Sequence, residues 1–365
     1  MAPLVSVIMP CFNAGRMLEP AMQSVFMQTH AEIELIFVDN NSTDGSAELA
    51  QTLGAASGRP FRLVRCPSQG ANHARNQGYA WARGDYIQWM DADDALGREK
   101  IALQLAALTR KPEAAIAYCD WMSSRHRPDG GRDDRVVTLR QVDDQVARTL
   151  SGVWYPPHTY LIRRQEADRL QAEHGWLAET NIGTDVEYSA IAAMLGIRFL
   201  HVSGGRVQYN TWSPKQLSGA NTLYGARVAA LRTIYLRLQE LARRPDVAPR
   251  ITARHRILLE QDWNIWAMPK GTVKFRKLSS ERYTLCHVAS GHMIDVSARE
   301  AMVAVSMQKS GARAIAHHAL IVARLAIALH EDFPFIVATL DRYRQEGLLT
   351  PAVPAARALP YDVAD

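Results

Sequence analysis

The sequence predicts an α/β protein with a Rossmann-like, mostly parallel sheet and flanking helices, followed by an α-helical C-terminal region. Two patterns indicate this fold class. Over residues 1–120, short apolar runs of strand length alternate with segments that place apolar residues at helical spacing. From about residue 221 these runs give way to longer segments of helical periodicity.

Five apolar runs are predicted to form the sheet, and helical segments connect them. The expected strands are Val5–Met9, Leu35–Val38, Phe61–Val64, Tyr86–Met90 and Ala115–Cys119. The expected helices are Met17–Gln28, a helix that begins at Ala47 after a turn over Asn40–Ser46, His73–Ala82 and Arg98–Thr109. Because strands separated by helices need crossover connections, these strands are expected to run parallel.

The pattern is weaker after the fifth strand. Residues 121–150 are polar and are predicted to form a long irregular segment. The remaining strands are expected at Thr159–Arg163, Arg198–Val202 and Arg206–Tyr209, with a helix at Asp185–Leu195. Helices are then expected over residues 221–241 and at Ile251–Met268, Ala298–Gln308, Ala312–Leu329 and Pro334–Tyr343. We therefore predict one domain over residues 1–220 and a helical region over residues 221–365.

Composition excludes several protein classes. The 365 residues are 47% hydrophobic and 22% charged, which excludes collagen-like, low-complexity and disordered chains. The four cysteines lie far apart without zinc-ligand spacing, so neither a structural zinc site nor a disulfide scaffold is expected. The N-terminal apolar run lacks a basic flank, and no apolar stretch reaches the ~20 residues of a spanning helix. These features predict a cytoplasmic protein.

The net charge of +5 is unevenly distributed. Residues 221–365 hold 20 Lys or Arg against 13 Asp or Glu, a balance of +7, and residues 1–220 hold 22 against 24, a balance of −2. Much of the excess lies in a basic cluster within residues 270–282. This cluster predicts peripheral contact with anionic lipid at the inner face of the membrane, binding of an anionic acceptor, or a solvated loop. No nucleic-acid-binding pattern accompanies it.

Polar residues follow three of the predicted strands, at Cys11–Asn13, Asp39–Asp44 and Asp91–Asp94. In open α/β sheets, ligands bind beyond the carboxyl ends of the strands, so these loops are expected to form one site. The run Asp91-Ala92-Asp93-Asp94 carries two carboxylates at i and i+2, which suit a hard cation such as Mg²⁺ or Mn²⁺. Taken alone, such a run more often forms an acidic turn before a helix than a metal site.

Four segments together give a more specific indication. Val5–Asn13, Ile36–Ser46, Gln69–Gly78 and Gly84–Asp94 resemble, in order and spacing, the strand and loop motifs of family 2 glycosyltransferases. The resemblance covers residues 4–95 and implies a GT-A fold, a nucleotide-sugar donor that is most often a UDP-sugar, and a divalent metal ion, Mn²⁺ or Mg²⁺. The chemistry of the residues agrees with this donor, because the Asp39 carboxylate can accept a hydrogen bond from a pyrimidine N–H and the Phe12 ring can stack on a base.

The resemblance also implies roles for individual residues. Asp39 would bind the base, Arg75 would lie near the diphosphate or hold the base loop, and Asp93 would bind the metal. The other donor contacts implied are Pro10, Phe12, Asn13, Asp91 and Ala92. Three of these residues have a structural alternative: Asp39 could be a turn residue, Phe12 a core residue and Arg75 a surface ion-pair partner. Asn40 and Asn41 depart from the family's usual Asp and Gly, and a local adjustment without loss of activity is expected there.

The acceptor half of the site is expected around Asp185. By the same resemblance, Asp185 at a helix entry is the general base that removes the proton from an acceptor hydroxyl. The alternative is an acid that favours the helix dipole, but Thr184 and Glu187 form a capping-box pattern that leaves Asp185 free of that task. Thr184, where the family usually has Glu, is a candidate acceptor contact. Glu187 is a second candidate base.

Two further residues are candidate contacts. His158 opens a predicted strand beside the acceptor pocket and would contact donor phosphate or acceptor, or have a structural role. Some related enzymes complete the metal site with a His after the last strand, but this sequence has Tyr209–Pro214 there and no His. We therefore predict metal binding through Asp93, diphosphate and water, with Trp212 covering the sugar or packing in the core.

The sequence thus predicts a metal-dependent, inverting glycosyltransferase that acts on a glycan or lipid-linked acceptor in cell-surface polysaccharide synthesis. The helical region would serve acceptor binding, membrane association or oligomerisation. Three alternatives differ in chemistry. The first is a sugar–polyprenyl-phosphate synthase of the same fold, which needs no base, and the second is an inert nucleotide-sugar-binding scaffold. The third is a nucleotidyltransferase, which normally has a Gly-rich basic loop after its first strand, a pattern that Cys11–Arg16 matches poorly. The oligomeric state is not predicted.

Overall fold

The structure is a computed structural model and describes residues 2–127, 129–150, 155–173, 175–179, 183–211, 224–259, 265–267, 273–288, 290–310, 313–315 and 333–351. The chain divides into two compact units. The first comprises residues 1–146, 154–234 and 241–250, and the second comprises residues 147–153, 235–240 and 251–365. The proposed functional division at residue 220 stays a prediction.

The first unit is built on a nine-stranded mixed sheet. Its strands are β1 (Val5–Cys11), β2 (Ile33–Asp39), β3 (Phe61–Arg65), β4 (Tyr86–Trp89), β5 (Ala95–Leu96), β6 (Ile116–His126), β7 (Arg132–Val137), β8 (Leu161–Arg163) and β9 (Phe199–Thr211). They lie in the order β3-β2-β1-β4-β8-β6-β9-β5, with β7 paired to β6. Strands β1 to β4 pair in parallel, as do β6 and β9, and β8 runs antiparallel between β4 and β6.

Helices connect these strands and cover the sheet. They are α1 (Leu18–Phe26), α2 (Ser46–Ala56), α3 (Ala71–Tyr79), α4 (Lys100–Arg110), α6 (Arg164–Ala172) and α7 (Thr184–Met194), whereas α5 (Gln145–Leu150) lies partly in each unit. Strands β1, β2 and β4 are buried along their whole length, which explains their largely apolar sequences. The predicted α/β class with a mostly parallel sheet is confirmed, and each of the five predicted strands and four helices is present.

The prediction of an irregular segment over residues 121–150 was wrong. Strand β6 continues to His126 and pairs antiparallel with β7, so this region is a β-hairpin followed by α5. Strand β7 is polar and exposed on both faces, and its sequence therefore lacks the apolar alternation that marks a half-buried strand. The two strand candidates near residue 200 are one strand, β9, and α6 was not predicted.

The second unit combines helices with two small sheets. Its helices include α9 (Ala253–Leu259), α10 (Ala298–Ser310) and α11 (Phe333–Gln345), and the long α8 (Tyr224–Arg243) lies partly in each unit. One sheet consists of β10 (Ile265–Ala267), β14 (Arg313–Ile315) and β15 (Thr350–Pro351), and the other of β11 (Val273–Lys277), β12 (Arg282–His287) and β13 (Met293–Ser297). In the described residues, no helix is long and apolar enough to cross a membrane.

The helical prediction for this region is confirmed for α8, α10 and α11 but missed its strands. Within the predicted helix Ile251–Met268 the structure has α9 and then β10, and residues 313–315 of the predicted helix Ala312–Leu329 form β14. Leu285, Ile294 and Val296 of the β11–β13 sheet pack in one core with residues of α10 and α11. Apolar residues of these short, one-sided strands recur too briefly to be distinguished from a helical stripe.

Candidate active site

Three loops at the carboxyl edge of β1, β2 and β4 form the centre of the candidate site. The loop after β1 is bonded to the loop after β2: the Thr43 N–H donates to Asn13 Oδ1 at 2.8 Å, and the Asn13 N–H donates to Ser42 Oγ at 3.1 Å. A third bond joins them, from the Gly15 N–H to Asp44 Oδ2 at 2.9 Å. The parallel strands and these bonds bring the loops together as predicted.

The structure excludes the alternative that Phe12 is a core residue. Pro10 is buried within β1, but the Phe12 side chain beyond it is 54% exposed, so it is not a core residue. An exposed ring at a strand end leaves one face open for stacking. Asp39 is buried at the end of β2, where its Oδ1 accepts a hydrogen bond from the Ser42 N–H at 3.1 Å. The roles of both residues in base binding stay predictions.

Asn40 is a clamp between two loops. Its buried Nδ2 donates to the carbonyl oxygens of Cys66 at 3.1 Å and Ser68 at 2.6 Å, and its Oδ1 accepts from the Gly70 N–H at 2.7 Å. Only an amide can donate and accept in this way, because an ionised carboxylate accepts alone. The departure from the family's usual Asp therefore has a structural reason, which sequence reasoning missed.

Asn41 adopts a left-handed backbone conformation, with φ at 67°. Asn tolerates this region better than most residues other than Gly, which accounts for Asn where the family usually has Gly. Its Nδ2 donates to the Pro67 carbonyl at 3.1 Å, so the side chain also joins the loops after β2 and β3.

Arg75 of α3 is the cation of the site. Its Nη2 contacts Asp91 Oδ1 at 2.6 Å, its Nη1 donates to Asn72 Oδ1 at 2.8 Å, and its guanidinium lies 4.5 Å above the ring of Trp176. Since the side chain is only 10% exposed, Arg75 is not a surface ion-pair partner. It holds the loop Asp91–Asp94 after β4, the acidic loop, against α3.

Asp94 and His158 form a buried pair beneath the acidic loop. His158 Nδ1 lies 3.2 Å from Asp94 Oδ2, and both side chains are almost fully buried. Burial and the neighbouring carboxylates of Asp93 and Asp91 raise the pKa of Asp94 well above its usual value. Burial lowers the pKa of His158 to about 4. His158 is thus placed at the site, below the acids rather than in an open acceptor pocket.

Asp91, Asp94 and His158 could hold a metal ion. Each offers one ligand atom, and the three atoms lie within 4.8 Å of one another. Carboxylate oxygen and imidazole nitrogen fit a divalent cation such as Mn²⁺. Within the described residues, Asp93 does not belong to this group, and its assignment as the metal ligand stays a prediction. Ala92, between the acids, is buried.

A buried polar layer supports His158. Gln88 of β4 donates from Nε2 to the His158 carbonyl at 3.0 Å, and Lys100 of α4 donates to Gln88 Oε1 and, at 2.7 Å, to the Tyr160 carbonyl. Lys100 is fully buried, and burial lowers its pKa from 10.5 to about 7. This layer fixes the short 3₁₀ turn Pro157–Thr159, and no sequence pattern indicated it.

Asn210 of β9 fixes the acidic loop from the other side. Its N–H donates to Asp94 Oδ1 at 2.7 Å, and its Nδ2 donates to the Asp93 carbonyl at 2.8 Å. It stands in the stretch where a metal-binding His was sought in the sequence, and it acts on the loop directly. A cavity of about 500 Å³ lies here, between the acidic loop, the start of α1, β9 and the β6–β7 hairpin.

Asp185 lies in the same site. It is half-buried in the first turn of α7, and its Oδ1 accepts from the Val186 N–H at 2.9 Å. Burial raises its pKa; the charge of Arg75 opposes this shift and the charge of Asp91 adds to it. The start of α7 is linked to the acidic loop by contacts, because Thr184 next to Asp185 accepts a hydrogen bond from Asn72, which in turn accepts one from Arg75, the partner of Asp91.

The predicted capping box of α7 was wrong. The helix is preceded by Gly183, at φ 75°, and has no side-chain cap; Thr184 is its first helical residue. The Thr184 hydroxyl instead accepts a hydrogen bond from Asn72 Nδ2 at 3.2 Å, which ties α7 to α3 next to Asp185. Glu187 is buried, which disfavours it as a base for an incoming hydroxyl. Trp212 lies outside the described residues.

Comparison with known proteins agrees with this geometry. Residues 6–170 match the profile of glycosyl transferase family 2. This region belongs to the family. One relative, the putative teichuronic acid biosynthesis glycosyltransferase TuaG of Bacillus subtilis, is 30% identical over 172 residues, which is 46% of this chain and 66% of the relative. Across the first curated relatives, the match spans half to just under two thirds of their length.

Two solved structures have a fold similar to that of this chain. The mannosyltransferase PcManGT of Pyrobaculum calidifontis, in complex with GDP-Man and Mn²⁺, has a TM-score of 0.51 at 17% identity over 95% of this chain and 87% of that one. S. aureus TarS 1-349 in complex with UDP-GlcNAc has a TM-score of 0.53 at 16% identity over 70% of each chain. These similarities confirm the predicted GT-A fold, and family membership supports the predicted glycosyltransferase class.

Asn40→Asp tests the amide clamp. The carboxylate would lose both donated hydrogen bonds and face the Cys66 and Ser68 carbonyls, so we expect the free energy of unfolding to fall by about 1–3 kcal/mol. Urea unfolding at pH 7 measures this change. Gln51→Glu, the same change at an exposed position of α2, is the control and should be nearly neutral. An equal effect of the two substitutions would contradict the clamp.

Proposed function

We propose that this protein is a metal-dependent, inverting glycosyltransferase that moves a sugar from a nucleotide-sugar to a hydroxyl of a glycan or lipid-linked acceptor. The observation that carries the proposal is a chain of contacts that leads from Asp91 of the acidic loop through Arg75 and Asn72 to Thr184, the neighbour of Asp185 at the start of α7. We infer from it that the Asp185 carboxylate acts in the same site as the acidic loop.

The reaction needs one displacement. Asp185 accepts the proton of the acceptor hydroxyl while the hydroxyl oxygen forms a bond to the anomeric carbon. The bond between that carbon and the diphosphate oxygen breaks on the opposite face, and the electron pair leaves with the nucleoside diphosphate. Attack from the face opposite the leaving group inverts the anomeric configuration. The raised pKa of Asp185 makes its carboxylate a stronger base than that of an ordinary Asp.

A divalent ion would be held by the acidic loop. Asp91, Asp94 and His158 converge there, and Asp93 beside them lines the cavity into which a diphosphate would extend. When bound, the ion would supply positive charge that stabilises the departing diphosphate. An imidazole nitrogen among the donor atoms suits a transition-metal ion better than Mg²⁺, so we favour Mn²⁺.

The comparisons support the substrate classes. TuaG is named for teichuronic acid biosynthesis, and TarS and PcManGT were solved with UDP-GlcNAc and GDP-Man. We propose a nucleotide-sugar donor, a UDP-sugar first, and an acceptor from cell-surface polysaccharide synthesis. Phe12, Asn13 and Asp39 would bind the nucleoside at the ends of β1 and β2, and Thr184 would contact the acceptor beside Asp185.

Asp185→Asn tests the general base. The amide keeps the shape of the side chain but cannot take a proton, so kcat should fall by roughly 10²–10⁴-fold. Turnover of UDP-sugars to UDP, with a crude cell-surface glycan or lipid fraction as acceptor, measures it. Stabilisation of the variant by UDP in thermal unfolding should be unchanged, because the donor loops are intact.

Glu187→Gln is the matched control for this variant, since it makes the same change two residues along α7 and should leave kcat within about threefold. A large loss in Glu187→Gln with activity in Asp185→Asn would transfer the base to Glu187. Near-normal turnover in both variants would contradict a base altogether. That result would favour a phosphate acceptor, as in a sugar–polyprenyl-phosphate synthase.

The pH dependence of kcat/KM provides a separate test. Activity requires ionised Asp185, so the rate should fall as the pH drops through its pKa, which lies above that of an ordinary Asp. Arg75→Gln removes a cation that lowers this pKa and should move the acid limb to higher pH. An unchanged limb in Arg75→Gln would show that another group titrates.

Metal dependence is tested by thermal unfolding with UDP. At ~100 times its dissociation constant, UDP should stabilise the protein by about 2.7 kcal/mol in the presence of Mn²⁺ and clearly less with EDTA. Asp93→Asn should reduce this stabilisation if Asp93 is a ligand, and His158→Gln should do so if the buried cluster is the site. Equal stabilisation with and without metal would contradict the metal requirement.

A further inference from the structure

The β11–β13 sheet of the second unit has an outer face of unusual composition. In its register, Lys274 pairs with Cys286 and Cys286 with Met293, while Arg276 pairs with Thr284 and Thr284 with Asp295. Because side chains alternate along a strand, these two rows lie on one face, opposite the row of Leu285 and Ile294. Lys274 and Arg276 are exposed on this outer face.

Large apolar side chains are exposed beside these cations. Met293 on the outer face is 65% exposed, and Leu278 and Val288, which directly follow β11 and β12, are 48% and 50% exposed. The sheet cannot turn to bury these side chains, because its other face, with Leu285, Ile294 and Val296, is already packed in the core with α10 and α11. The apolar groups are therefore held in solvent by the fold.

The charge of this sheet is positive. Four cations, Lys274, Arg276, Lys277 and Arg282, stand against two carboxylates, Glu281 and Asp295. Asp295 is already engaged, because it accepts hydrogen bonds from Arg282 at 3.1 Å and from the Thr284 hydroxyl at 2.9 Å. The cations of β11 thus dominate the outer face.

We infer that this outer face docks on an anionic lipid bilayer. Cations interleaved with exposed apolar side chains match the two layers of such a surface, where phosphates attract the former and the upper acyl region accepts the latter. A soluble acidic glycan would attract Lys274 and Arg276 but would leave Met293 in water. This inference stands apart from the catalytic proposal and does not depend on it.

The chain carries its own reporter for this contact. Of its four free cysteines, Cys11, Cys66 and Cys119 are buried, and Cys286 alone is partly exposed, in the row between Lys274 and Met293. Buried thiols react slowly, and burial raises the pKa of Cys11 to about 11 and that of Cys119 to about 12. An environment-sensitive fluorophore on the full chain should therefore label Cys286 selectively.

The experiment measures binding of the unlabelled chain to vesicles of 3:1 phosphatidylcholine and phosphatidylglycerol by co-sedimentation, and the emission of the labelled chain in parallel. We expect binding to these vesicles, weaker binding at 0.5 M NaCl, little binding to pure phosphatidylcholine, and a blue shift of the Cys286 label. Lys274→Gln/Arg276→Gln should weaken binding roughly 25-fold, about fivefold for each cation. Met293→Gln should reduce the blue shift.

Arg65→Gln/Lys111→Gln is the control, because it removes two exposed cations of the first unit and should leave binding unchanged. Failure to bind the anionic vesicles, equal binding to pure phosphatidylcholine, or an equal loss in both double variants would overturn the inference. Binding without a blue shift would also overturn it, since the attachment would then involve another face. Circular dichroism of each variant checks that the fold is retained.

Discussion

The site depends on one buried cation. Arg75 enters from α3 and joins Asp91 of the acidic loop to Asn72, and Asn72 in turn bonds Thr184 at the start of α7. Behind it, the ring of Trp176 stacks on Tyr188 at 4.4 Å and meets Trp89 edge-on at 5.5 Å. A buried charge is costly unless it is paired, so the structure around Arg75 must keep its partners in place. The acidic loop and the start of α7 are thereby coupled through Arg75 and Asn72.

Side-chain amides fix the loops that the sheet alone would leave free. Asn40 joins the loops after β2 and β3, because its side chain donates to one backbone group and accepts from another. Asn210 of β9 holds the acidic loop by donation alone, from its N–H to Asp94 Oδ1 and from its Nδ2 to the Asp93 carbonyl. Both residues are buried. Such bonds hold a loop without adding charge, which leaves the electrostatics of the site to the acids, Arg75 and any bound ion.

The parts of the fold that follow from local pattern were predictable. Buried parallel strands such as β2 are continuous apolar runs, and the acids that follow them lie at the sheet edge by topology. Strand β7 was missed because its polar residues owe their conformation to pairing with β6. Asp91, Asp185 and Arg75 are candidates that motifs indicate, whereas the Asp94–His158 pair and the Gln88–Lys100 layer arise between residues far apart in sequence. Tertiary contacts of that kind leave no local signal.

The burial of Lys100 makes the free energy of unfolding depend on pH. In the unfolded chain its amine would hold a proton up to about pH 10.5, whereas in the native state it releases the proton near pH 7. Between these values the unfolded state binds more protons, so unfolding takes one up and this group favours the native state increasingly as the pH rises. The polar layer that orients the Pro157–Thr159 turn thus also makes the native state less stable as the pH falls from about 10.5 to about 7, through a group on α4 beneath the sheet.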